Sequence, residues 1–144
     1  MQVQDYMNIS PSETPEPVLL TDGTYDFKVI SQREDKVGED QKTKVTLNLK
    51  PIAVVEGDFP DDQLKYAKIV RQEFWMTEPA LLNENPAVSA RVFNTRILGL
   101  DPSTSYRMGF EQALGQVVRG VTRQEMEGRE KNIRAVRVKR YLQQ

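Results

Sequence analysis

The tightest constraint on the fold is a strict alternation of apolar and polar side chains in two short stretches. In Thr24-Tyr25-Asp26-Phe27-Lys28-Val29-Ile30, the side chains of Tyr25, Phe27 and Val29 fall on one face and those of Asp26 and Lys28 on the other. In residues 43–50, Val45, Leu47 and Leu49 alternate with Lys44, Thr46, Asn48 and Lys50. A period of two puts each apolar set on one side of an extended chain, so both stretches are expected as half-buried strands, with Tyr25 and Phe27 in the core. Gly23 opens the first strand. The charged stretch from Ser31 to Lys42, with Gly38 at its middle, is expected as a long hairpin loop between the two.

Beyond Lys50 the pattern continues in short pieces. Pro51 followed by Ile52-Ala53-Val54-Val55 predicts a strand that bends or bulges and runs on, because proline cannot donate to a ladder. Residues 56–62, with Gly57 and Pro60, read as a turn. Residues 68–76, dense in β-branched and aromatic side chains, read as a third strand, with Phe74 and Trp75 on opposite faces. The period then changes. Asn85-Pro86 predicts a helix start, Ala90, Phe93, Ile97 and Leu100 recur at helical spacing, and Asp101-Pro102 ends the segment. A second helix is expected over 105–114, with Tyr106, Phe110 and Leu114 on one stripe and Gly115 as its stop. Strands return at 116–124 and 132–141 around a loop carrying Gly128.

At 144 residues the chain suffices for one core. Residues 1–20, with prolines at 11, 15 and 17 among Ser, Thr and Glu, are expected as a flexible arm, and 21–144 as a single domain. Three strands, a helical insertion and two more strands is the order of an OB-type fold. That is a mainly β, five-stranded, partly open Greek-key barrel, with helices here between strands 3 and 4, whose second and third strands and whose 1–2 and 4–5 loops bind oligonucleotides; a ferredoxin-like or sandwich arrangement is the alternative reading of the same order.

Chemistry is restricted by what is missing. There is no cysteine and no histidine, so disulfides, thiolate metal sites and His-based nucleophilic catalysis are excluded. The remaining route is carboxylate with a hard cation. Candidate pairs such as Asp61-Asp62 and Glu39-Asp40 lie in stretches that read as exposed loops, so no catalytic residue, no metal and no cofactor is expected. No apolar run approaches the roughly 20 residues needed to cross a bilayer. The first residues, MQVQDYMNISPSETPEP, carry no secretory signal pattern, and a cytoplasmic location is expected.

Net charge is −1, but it is unevenly spread: residues 1–90 carry nine Lys/Arg against sixteen Asp/Glu, and residues 91–144 carry eleven against five. Such asymmetry suggests a basic face for a polyanion. A binder of single strands needs cations that follow phosphates and aromatic faces that stack on bases. The last two strands supply Arg119, Arg123, Arg134, Arg137, Lys139 and Arg140. The third supplies Lys68 and Arg71, with Trp75 on the same parity as Arg71 and therefore the favoured stacking residue. Tyr66 and Tyr141, at strand margins, are further stacking candidates.

Several short motifs add a resemblance. They are Asp22-Gly23-Thr24-Tyr25, Ile97-Leu98-Gly99-Leu100, Leu114-Gly115-Gln116-Val117-Val118-Arg119, and the hairpin Glu127-Gly128-Arg129-Glu130-Lys131-Asn132. Over most of residues 22–140 the chain resembles a family of small bacteriophage proteins similar to OB-fold single-stranded DNA-binding proteins, encoded beside replication and recombination genes. The resemblance implies a non-catalytic, sequence-nonspecific binder of single-stranded DNA in phage replication or recombination. Such a role is compatible with a homo-oligomer and with contacts to replication or recombination proteins. The C-terminus departs from the better-known bacterial proteins, ending on Lys139-Arg140-Tyr141-Leu142-Gln143-Gln144 in place of an acidic tail. The competing expectation is a virion structural or assembly protein that makes only protein contacts, for which the basic C-terminal hairpin would have no purpose.

Overall fold

The computed structural model describes residues 6–128, 130–131 and 133–143. Residues 1–5 of the expected arm, and Arg129 and Asn132 of the hairpin motif, lie outside the described residues. Five strands, β1 (Gly23–Val37), β2 (Lys42–Glu56), β3 (Val70–Trp75), β4 (Val117–Glu127) and β5 (Ile133–Leu142), form one sheet in the order β3-β2-β1-β4-β5. Every hydrogen-bonded pair is antiparallel, which makes the two outer strands, β3 and β5, run in the same direction. They meet without a ladder between them, so the sheet curls but is not closed. Tyr141 Oη on β5 clamps this seam by donating to Gln72 Oε1 on β3 at 2.6 Å.

Bulges supply the curvature. The β1–β2 register shifts between Thr24 and Tyr25, between Asp26 and Phe27, and between Val29 and Ser31. Pro51 stands opposite Phe27 beside the second shift, where the sequence predicts a bend. On β4 a glycine permits the tight coil: a Cβ on Gly120 would lie 2.8 Å from Val138 Cγ1 and 3.5 Å from the Phe27 ring.

The inner face of the sheet buries Tyr25, Phe27, Val29, Leu47, Leu49, Val70, Phe74 and Val118. The segment between β3 and β4 covers this core with α1 (Glu78–Leu81), α2 (Ala90–Val92), a π-helical turn at Phe93–Ile97, and α3 (Tyr106–Ala113). Phe93 is its central plug, with ring centroids 5.0 Å from Phe74 and 5.1 Å from Tyr141. It thereby ties β3 and β5 to the insertion.

Three local expectations are corrected and one element is added. First, residues 31–42 are not a long loop: β1 and β2 run on as a two-stranded ribbon to a tight turn at Gly38–Gln41, with φ of 77° at Gly38 and 52° at Gln41. Both faces of the ribbon are largely wet, so it carries charges such as the Arg33–Asp35 pair and shows no apolar alternation. Second, Asn85-Pro86 opens a turn in place of a helix. Asn85 Oδ1 accepts from the Ala87 N–H, and the start of α2 is Ser89, whose Oγ accepts from the Val92 N–H. Third, α1, with Pro79 in its first turn, is an element the periodicity did not show, because four residues are too short for a stripe. Fourth, the arm is anchored before residue 21. Leu20 is fully buried, the Val18 N–H donates to the Tyr66 carbonyl, and the Lys68 N–H donates to the Val18 carbonyl. The later helix matches its expected span closely: Ser105 Oγ caps α3 by accepting from the Met108 N–H, and Gly115, at φ 82°, follows its end.

Candidate nucleic-acid interface

Strand alternation turns Arg71 and Trp75 on β3, and Arg137 and Lys139 on β5, outward at the seam, whereas Lys68 and Arg134 share the parity of the buried side chains and are exposed because they lie at the strand starts. On β3, Val70, Gln72 and Phe74 point inward, leaving Arg71, Glu73 and Trp75 outside. Lys68 is exposed just before the strand. On β5, Val136 and Val138 are buried, and Arg134 and Lys139 are exposed with Arg137 half-buried between them. A bulge opposite Val121 and Thr122 then leaves both Lys139 and Arg140 in solvent and still delivers Tyr141 to the core.

Because β3 and β5 face each other across the seam, Lys68, Arg71 and Trp75 line one wall and Arg134, Arg137 and Lys139 the other. Two adjoining hollows run along it. One, of about 400 Å³, is lined by Trp75, Ala87, Val88 and Lys139. The other, of about 550 Å³, is lined by Lys68, Ile69, Asn48 and Arg134. Arg71 and Arg137 border both, so the two form one groove. Trp75 is 37% exposed, and the Lys44 Nζ lies 5.6 Å from its ring centroid.

The groove is mixed in charge. Arg137 donates through Nε and Nη2 to both carboxylate oxygens of Glu127, at 2.5 and 2.6 Å. Lys139 pairs with Glu125, and Glu73 lies 3.8 Å from Arg71 and 3.7 Å from Lys44. Arg134 donates to the Gln124 amide oxygen, and Lys68 makes no ion pair among the described residues. Lys68 and Arg134 are thus the wall cations not committed to a carboxylate.

Five of the eleven residues singled out from sequence stand elsewhere, Arg140 among them, exposed on β5 opposite Val121 but outside the groove lining. Tyr141 is buried and offers no face for stacking; burial pushes its phenol well above the ordinary tyrosine range, and its Oη serves Gln72. Its place follows from the β5 bulge, which shifts parity by one residue. Tyr66 is half-buried in a 3-10 turn, Asp61–Tyr66, with the Lys65 Nζ 5.1 Å from its ring centroid. Arg119 is held by Asp26 on β1, Nε to Oδ1 at 2.9 Å and Nη2 to Oδ2 at 3.2 Å, beside Leu98 and Leu142 and away from the groove. Arg123 stands opposite Arg137 in the β4–β5 ladder, one strand behind the seam, with Asp22 at 3.8 Å. The reason is topological: β4 lies between β1 and β5, so only β5 reaches β3. Gln72, Asn48, Glu125 and Glu127 belong to the site and were missed. The outward parity of Glu125 and Glu127 beside the basic strand was the available signal for the two acids.

Among the described residues no group of three or more Asp or Glu side chains is placed to hold a metal ion, and no helix is long and apolar enough to cross a membrane. No protein-family model matches the sequence, and no curated protein matches it.

Proposed function

We propose that this protein binds single-stranded DNA, without reading its sequence and without chemistry of its own, in the groove along the β3–β5 seam. The observation that carries this most is the convergence of Lys68, Arg71 and Trp75 on one wall with Arg134, Arg137 and Lys139 on the other, from segments more than fifty residues apart in the chain. Cations gathered along one groove follow a phosphate backbone, and an exposed indole beside apolar Ala87 and Val88 suits an unstacked base, a contact worth about 1–3 kcal/mol. The fold is of the OB type on this reading: the strand order, the parallel outer strands and the insertion between β3 and β4 all support it. A place in phage replication or recombination rests on the sequence resemblance alone.

Titration of the single tryptophan's fluorescence tests the proposal. Oligo-dT is expected to quench Trp75, and duplex DNA of equal length to bind more weakly. Because most wall cations are already paired, two to three phosphate contacts are expected, so log affinity should fall with log salt at a slope of about 1.4–2. An affinity indifferent to salt, or a duplex bound as tightly as the single strand, would count against it.

A further inference from the structure

The acids of the groove lie where a bound strand would bring its phosphates. Glu125 stands opposite Ala135, and Glu127 opposite Ile133, on the β4 side of the hairpin. From there each reaches diagonally to a cation of β5: Glu127 takes the Nε/Nη2 edge of the Arg137 guanidinium, leaving its Nη1 hydrogens free, and Glu125 takes Lys139. The Arg137–Glu127 pair is only partly exposed, with 24% and 29% of the two side chains accessible, so water does not fully screen it, whereas the Lys139–Glu125 pair is more open, at 50% and 32%. A polyanion that touches Arg137 and Lys139 therefore meets two fixed negative charges on the same wall.

Resting on the single-strand reading above, we propose that Glu125 and Glu127 are specificity-determining residues that favour single strands over duplex. A duplex carries a phosphate charge about every 1.7 Å along a rod that stays stiff over about 50 nm. It cannot space its phosphates to avoid the two carboxylates. A single strand has lower charge density and turns freely between nucleotides, so its phosphates pass to Lys68 and Arg134 and exchange with the acids one at a time. The acids act as built-in counter-ions, which is also why the groove releases few salt ions on binding.

The test compares the full chain with its Glu125→Gln/Glu127→Gln variant, each titrated with oligo-dT and with duplex of the same length over a salt series. Two unpaired cations are expected to steepen the single-strand salt slope by about 1.4, and duplex affinity to rise about tenfold against about threefold for the single strand. If the variant binds both forms in the original ratio, or binds both more weakly, the acids only position Arg137 and Lys139 and the inference is overturned. If the unaltered chain itself does not bind oligo-dT, the single-strand reading fails and this one falls with it. Thermal melts establish folding; should the double variant unfold, Glu125→Gln alone, at the more exposed Lys139 pair, carries the same comparison with about half the change in slope.

Discussion

Replacing Phe93 with Ala is expected to cost about 3–5 kcal/mol of unfolding free energy, because it removes a fully buried ring and leaves a cavity that its neighbours only partly fill. Phe93 differs from other core residues in what it joins. Its ring packs on Phe74 of β3 and on Tyr141 of β5, the same Tyr141 whose hydroxyl reaches Gln72 across the seam. Loss of the ring loosens both walls of the groove together. Urea unfolding should therefore show a lower midpoint, and single-strand affinity should fall under conditions where the variant is still folded. A change of less than about 1 kcal/mol, at the level of a surface substitution, would mean that the insertion does not plug the core as described.

The second large effect concerns charge at fixed places. Changing Lys68, Arg71 and Arg134 to Ala is expected to weaken oligo-dT binding about fiftyfold near physiological salt and to flatten the salt slope by about 2, three phosphate contacts at roughly 0.7 each. Changing Lys28, Arg96 and Arg107 removes the same charge from surfaces outside the groove lining, and less than about a threefold loss is expected, because a diffuse field is screened within about 8–10 Å. Circular dichroism and melting temperature establish that both variants are folded. Equal losses in the two sets would leave only non-localised attraction.

Which features were legible in the sequence follows from what each depends on. The alternation of Tyr25, Phe27 and Val29 with Asp26 and Lys28 is a property of one strand with one wet face, and the structure buries those three residues. The split between buried Phe74 and exposed Trp75 is equally local. The ribbon at residues 31–42 was illegible because both of its faces are largely wet, and a strand with no dry side leaves no period to read. Tyr141 was misplaced by a single bulge, since one extra residue in β5 reverses every later side chain. The candidate site was legible as a basic C-terminal hairpin and a third strand with an exposed tryptophan. It was not legible that Arg119 would be taken by Asp26, nor that β5 and not β4 would face β3. Both are set by strand order, which depends on contacts between segments far apart in the chain.

On the proposed function, a bound strand of DNA would lie along the β3–β5 seam. Amide and indole shifts of the isotopically labelled protein, followed by NMR while oligo-dT is added, report that location residue by residue. Shifts are predicted at the Trp75 indole N–H and at the backbone of residues 68–75 and 134–139, with little change at Arg119 or Asp26. Saturable shifts gathered at Arg119 and Asp26, or no shift at Trp75 when the protein is fully bound, would contradict it.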